Sequence, residues 1–182
     1  MTVQGRQYKG YLDRSHFVLL NSQGDTVLHP EGDYYMSFTF PDFNHDGYKD
    51  ILLEVISNTP GQYELFLYSP KSHKFEEVKD FYDFATPEPI KGTRYYYSYN
   101  RAGCADNTWE SYLFYIENYK PVRVGYINGE GCGIKDGIFI YRQRGGKKIL
   151  TETLPLKTIE KYKEYKWGFL KSYWTKYYRK FL

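Results

Sequence analysis

From Met36 to Phe40 large apolar residues alternate with small polar ones, the period of a half-buried strand, and the strand signal begins at Tyr34. Residues 51–56, Ile-Leu-Leu-Glu-Val-Ile, form a short β-branched apolar run suited to a buried strand rather than a helix. Residues 17–20 and 26–28, separated by Asn-Ser-Gln-Gly-Asp, predict a hairpin with a Gly-containing loop. Alternation returns at 62–68 after an Asn-Thr-Pro-Gly turn, and a further turn leads into 75–78. The Pro- and Asp-containing stretch 80–91 predicts a loop with a short helical turn, and strands resume at 93–98, 111–116, 121–127 and 137–141. Eight to ten short strands with frequent turns predict a mainly β chain: one antiparallel β-sandwich, barrel or propeller-like domain.

The pattern changes at the C-terminus. Ile159, Tyr162, Tyr165, Phe169, Tyr173 and Tyr177 follow a three-to-four residue step, with Leu170, Trp174, Tyr178 and Phe181 in an adjacent stripe. This predicts a helix over 157–182 with Thr158 as its N-cap, weakened by about 1 kcal/mol at Gly168 relative to Ala. Positions 1–150 thus read as a β-rich domain and 151–182 as a basic, aromatic, helical extension.

Charge sharpens that division. Residues 157–182 carry eight Lys/Arg against two Glu, a local charge of +6, so the remainder of this +3 chain is −3. The extension has four readings: a helix docked on the sheet with its Lys face in water, a membrane-surface helix, a nucleic-acid-binding segment stacking aromatics on bases, or a tail ordered only by a partner. Aromatics make up 20% of the chain, with 22 Tyr, which favours pleated, half-buried surfaces and so agrees with the strand count. No apolar run of membrane-spanning length occurs.

The most specific chemistry lies between the strands at 34–40 and 51–56. Residues 42–50 read Asp-Phe-Asn-His-Asp-Gly-Tyr-Lys-Asp, with oxygen-bearing side chains at Asp42, Asn44, Asp46 and Asp50. A hard cation such as Ca2+ takes six to eight oxygens, and a wound loop offers them at alternate positions. Tyr48 falls where such loops donate a backbone carbonyl, Gly47 permits the sharp turn, and Phe43, His45 and Lys49 point away. Without a cation the clustered carboxylates would repel one another. Loop position 12 is Leu53 rather than a bidentate Glu, and strands flank the loop, so the site is strand–loop–strand and not an EF-hand.

The two cysteines, Cys104 and Cys132, both lie in Gly-containing segments without Cys or His companions. That arrangement suits one disulfide better than a metal site, two separate buried thiols being the alternative. A disulfide, and a calcium loop of the modest affinity typical of extracellular modules, place the protein in the periplasm or outside the cell. The polar residues 1–5 show no leader, so the protein is either cytosolic or exported with its leader absent from this sequence, and the disulfide and calcium loop favour export.

Catalytic constellations are missing. Glu54, Glu64, Glu76, Glu77 and Glu110 show no spacing that pairs two carboxylates for glycoside hydrolysis. His16, His29, His45 and His73 are scattered, and there is no nucleophile elbow or phosphate-binding glycine loop. The expectation is a binding protein, not an enzyme.

The run Asp-Phe-Asn-His-Asp-Gly-Tyr-Lys-Asp-Ile-Leu-Leu resembles the calcium loop of FG-GAP/VCBS repeats, which implies Ca2+ held by Asp42, Asn44, Asp46, Tyr48 and Asp50. No second loop occurs, so a multi-blade array is not implied. The order of that loop, then Tyr-Glu-Leu-Phe-Leu-Tyr-Ser-Pro-Lys-Ser-His-Lys-Phe (63–75), then strands to about Tyr141, is similar to a family of bacterial periplasmic inhibitors. These act as immunity proteins against peptidoglycan hydrolases and are related in fold to invertebrate-type lysozyme inhibitors. The resemblance implies a protein target, with Ser98, Tyr99, Arg101 and Gly103 in the loop that plugs the enzyme cleft. It carries a Ser, a Tyr and a Gly, in a different order from the lysozyme-inhibitor loops. A carbohydrate- or cell-surface-binding module, its exposed Tyr and Trp stacking on sugars, is the alternative.

Overall fold

The computed structural model describes residues 1–31 and 34–182. It is mainly β, with antiparallel sheets and a C-terminal helix, and no sheet among the described residues closes into a barrel. The chain divides into two compact units, Met1–Asp83 with Asn118–Lys120, and Phe84–Glu117 with Pro121–Leu182. Among the described residues no helix is long and apolar enough to cross a membrane.

The first unit has two four-stranded sheets. One is β1 (Thr2–Val3), β2 (Arg6–Asp13), β3 (His16–Asn21) and β4 (Thr26–Leu28), in that spatial order. The other is β5 (Tyr35–Thr39), β6 (Ile51–Val55), β7 (Tyr63–Ser69) and β8 (Lys74–Glu77), also in chain order. Strand β6 forms within the apolar run at 51–56: Ile51, Leu53 and Val55 are buried, and the residues between them only half so. They join Phe17, Leu19, Tyr35, Phe66 and Tyr68 in one core. Gly10 on β2 is needed there, because a Cβ would come within 2.9 Å of the rings of both Phe38 and Phe40. Two strands here, β1 and β2, have no counterpart in the alternation; six of the eight positions of β2 are exposed.

The second unit is built on a seven-stranded sheet. Its strands are β9 (Glu88–Pro89), β10 (Tyr96–Tyr97), β11 (Asn100–Gly103), β12 (Thr108–Glu117), β13 (Lys120–Glu130), β14 (Gly137–Arg144) and β15 (Lys147–Leu154). The order is β15-β14-β13-β12-β10-β9, with β11 also on β12. Trp109, Leu113, Ile127, Ile138 and Ile140 project from it into a core completed by Phe169, Leu170, Tyr173, Trp174 and Phe181 of the C-terminal segment. Glycines on β13 make this possible. A Cβ at Gly125 would stand 2.9 Å from Trp174, and one at Gly129 would collide with the Trp109 indole.

The C-terminal segment therefore docks its aromatic stripe on the sheet. It is not one helix, however. A 3-10 helix, Leu156–Lys161, is followed by Glu164 and Tyr165 at φ 74° and 50°, and only then by α1 (Lys166–Tyr177) and a terminal 3-10 turn, Tyr178–Phe181. Thr158 lies inside the first 3-10 helix and caps nothing; Tyr165 precedes α1 without a side-chain cap. The break brings Tyr162 edge-on to Phe169 at 5.6 Å and 3.2 Å from where a Gly168 Cβ would stand. Two unusual backbone conformations cost about 1–3 kcal/mol each. Burying side chains such as Phe169, Leu170 and Trp174 contributes about 1.5–3 kcal/mol apiece, so packing decides against helical continuity. Strand β15, missed by the alternation, runs across position 150, so the segment from 151 continues the same sheet.

Candidate functional site

The loop between β5 and β6 joins adjacent antiparallel strands, with Thr39 opposite Leu52. Its chain is wound by its own side chains. Asp42 Oδ2 accepts the Gly47 N–H at 3.1 Å, Asn44 Oδ1 accepts that of Asp46 at 3.2 Å, and Asp46 Oδ1 accepts that of Tyr48 at 2.9 Å. His45 and Gly47 take φ values of 61° and 90°, the left-handed turns that bend the loop, and a glycine makes the second without strain. The base is closed by Asp50, whose N–H donates to the Pro41 carbonyl at 2.7 Å. The Tyr48 ring packs 5.6 Å from Tyr68, and Phe43 meets Phe81 edge-on, so both rings turn into the protein.

The electrostatics are unbalanced. Asp50 is fully buried, and its two oxygens accept the N–H groups of Tyr68 at 2.9 Å and Phe43 at 2.8 Å. Burial nevertheless pushes its carboxyl up to about 6; the two backbone donors oppose that rise, and the nearby Asp46 carboxylate adds to it. Asp42 Oδ1 is buried with no hydrogen-bond partner. Leaving such an acceptor unsatisfied costs about 1–3 kcal/mol, so the loop holds an oxygen suited to a cation. Asn44 and Asp46 are instead turned to each other, Nδ2 donating to Oδ2 at 2.9 Å. Consistent with that, no group of three or more His, Cys, Asp or Glu among the described residues is gathered closely enough to hold a metal. Oxygen donors of this kind are those a hard cation takes, but both Asp50 oxygens are engaged by backbone N–H groups and Asn44 and Asp46 by each other, so only Asp42 Oδ1 is left without a partner.

The second predicted site is Ser98 to Cys104. Here the structure corrects the exposure expected of a plug. Ser98 and Tyr99 are buried, because β10 and β11 follow the register of β12 and turn both side chains inward. The Ser98 carbonyl accepts the Ser111 hydroxyl at 2.6 Å, and that hydroxyl accepts the Trp174 indole N–H at 2.8 Å. Ser98 Oγ accepts the N–H of Tyr112 at 3.1 Å. Tyr99 donates its hydroxyl to Asp106 Oδ1 and lies against the Trp167 ring. Arg101 and Gly103 are exposed.

Exposure shifts instead to the following turn. Gly103, Cys104, Ala105 and Asp106 have φ values of 127°, 52°, 50° and 70°. Four successive residues of positive φ persist only where their surroundings over-determine them, and here three ties do so. Cys104 is disulfide-bonded to Cys132 in the β13–β14 loop. Lys166 bonds both the Asp106 carboxylate and its backbone carbonyl, the latter at 2.8 Å, and Arg101 Nε stands 3.8 Å from Asp106 Oδ1. Burial pulls the Asp106 carboxyl upward, but the bonds from Lys166 and Tyr99 and the charge of Arg101 outweigh it and hold it below its ordinary range. Opposite, Glu130 Oε1 accepts the Cys132 N–H at 3.0 Å and the Thr108 hydroxyl at 2.9 Å. Sequence reasoning missed Asp106 and Lys166, which lie 60 residues apart; neither has a local signal.

Three of the five glutamates considered for catalysis accept hydroxyl groups within the sheets. Glu64 accepts the Tyr35 hydroxyl, Glu54 that of Ser37, and Glu110 those of both Tyr112 and Tyr126.

No protein-family model matches the chain, and no curated protein does. Among solved structures, it is similar to one described as a Xanthomonas Type IV secretion system related protein. The TM-score is 0.57 over 82% of this chain and 94% of that one, at 14% identity. At that identity the likeness is one of fold.

Proposed function

We propose that this chain is a calcium-stabilised β-protein that acts outside the cytoplasm by binding another protein, without a catalytic step of its own. The observation that carries the binding reading is the turn Gly103–Asp106: exposed in part, strained, and pinned by a disulfide, two basic side chains and Tyr99. A pre-organised turn loses little freedom on docking, which is how a small contact binds tightly. The disulfide favours an oxidising compartment. The fold shared with a protein described as Type IV secretion system related supports a role alongside secreted proteins.

Within that reading the target is a peptidoglycan hydrolase and the chain its inhibitor or immunity protein. Arg101 to Asp106 enters the cleft, while Ser98 and Tyr99 hold the turn from behind. Calcium is structural: Asp42, Asn44, Asp46, the Tyr48 carbonyl and Asp50 hold it, and its charge answers that of the buried Asp50. Two measurements test this. Inhibition of muralytic enzymes from the source organism and its competitors should occur and be lost in Arg101→Glu; no binding to any such enzyme rejects the inhibitor assignment. Calcium should raise the melting temperature and EGTA lower it; a melt indifferent to both rejects the metal.

A further inference from the structure

Within the second unit a cavity of about 260 Å³ opens beside the sheet edge. Tyr97 and Tyr99 form its floor, 7% and 4% exposed, and Trp167, 42% exposed, stands over Tyr99 with ring centroids 3.7 Å apart. Glu88 comes from the edge strand β9, directly opposite Tyr97 in the ladder, while Glu164 and Lys171 come from the C-terminal segment. Among the described residues neither glutamate nor Lys171 has an ion-pair partner within 4 Å. The Tyr97 hydroxyl makes no hydrogen bond there either. Three aromatic rings and two unmatched carboxylates thus line one cavity, in a chain whose net charge is +3.

The geometry points to this cavity as a receptor for a cationic side chain, an arginine or lysine of the partner protein. It rests on the protein-binding reading above and adds an anchor to it. Ring faces attract a cation through their quadrupoles, most strongly when it is desolvated. Carboxylates form short, charge-assisted hydrogen bonds to its N–H groups. A guanidinium satisfies both demands at once, since it stacks flat on an indole and offers a planar fork of donors. The free Tyr97 hydroxyl supplies a further acceptor. Lys171 gives the assignment its sign. Its ammonium opposes a cationic occupant and would favour an anionic one, so its removal should strengthen the first and weaken the second.

The test uses the full chain and blocked arginine, Nα-acetyl-L-arginine amide, titrated against the fluorescence of Trp167 with Trp167→Phe as the spectroscopic control. Saturable binding is expected, with blocked citrulline, the neutral isostere, at least tenfold weaker. Glu88→Gln and Glu164→Gln should each weaken the arginine probe several-fold, and Lys171→Ala should tighten it. All three positions are exposed, so folding is not at stake. Equal binding of citrulline, weaker binding in Lys171→Ala, or preference for methyl glucoside would overturn the assignment; the last would mark a glycan site. Choline binding more tightly than blocked arginine would overturn the side-chain source in favour of a small quaternary cation. Because the titration needs neither calcium nor partner, the pocket can fail while the protein-binding reading stands, and the reverse.

Discussion

The loop at 42–50 and the turn at 103–106 solve the same problem in different ways. Each holds an irregular, charged segment close to an antiparallel sheet, and each uses left-handed residues to do it. The turn is satisfied from within: its carboxylate has Lys166, Arg101 and Tyr99, and its backbone is tied covalently to Cys132. The loop is wound by hydrogen bonds alone, with no ion pair and no covalent tie among the described residues. It leaves one buried oxygen of Asp42 without a partner and the buried Asp50 carboxyl raised to about 6. A segment that has its own cations should be indifferent to added ones. A segment that lacks them should respond to whatever cation the solvent offers.

The largest expected effect separates the two directly. Replacing both cysteines by serine opens a 28-residue separation and should destabilise the protein by about 3–4 kcal/mol on the chain-entropy account. Chemical denaturation of the double variant should retain the full calcium response. Loss of that response together with the disulfide would show that the two segments are not independent.

The next effect, about 3 kcal/mol, comes from Asp50 in metal-free protein. Its folded pKa, about 6, lies above the ordinary 3.8, so the folded chain holds the proton more firmly than the unfolded one. The associated stability is complete below about 4 and is lost as pH rises through 6. Denaturation midpoints in EGTA should therefore fall across that window, and Asp50→Asn should abolish the slope. A flat profile in the unmodified protein would remove the case for an uncompensated charge.

If the proposed calcium site is right, calcium at about a hundred times its dissociation constant should restore roughly 2.7 kcal/mol, and do so at pH 7 rather than pH 4, where Asp50 is protonated. Isothermal titration of Asp42→Ala should show binding lost. Unchanged affinity would move the site away from Asp42.

The smallest effect belongs to the turn. Lys166→Ala should cost about 1 kcal/mol, since the pair it breaks is only partly shielded from water. The Asp106 carboxyl lies below its ordinary range, so its contribution is present above pH 4 and disappears as pH falls through its lowered value. Acid melts of the wild type and Lys166→Ala should converge there; a difference that persists in acid would mean that lost packing, not charge, is responsible.

Legibility followed the kind of signal each element carries. Strand β6 is legible as a strand from the short apolar run at 51–56, and the loop before it declares its oxygens by spacing alone. The two cysteines implied a bond but left separate thiols open, and only their approach in the fold decides it. By contrast, β2 and β15 are largely exposed strands whose pairing, not their burial, makes them strands. Their polar sequences carried no period to read. The aromatic stripe of 159–181 ran at a helical step straight through Glu164 and Tyr165, where the chain in fact breaks.

What the sequence by itself determined is therefore local: alternation, turn chemistry, the oxygen-bearing loop, and the amphipathic face of the C-terminal segment. These depend on neighbours a few residues away, and their physics is complete within a short window. The tertiary structure alone decided that Ser98 and Tyr99 face inward, that Asp106 meets Lys166, and that Glu88 and Glu164 share a cavity with Trp167. Each of those joins groups distant along the chain, and burial and charge at such places exist only once the sheet and helix have packed.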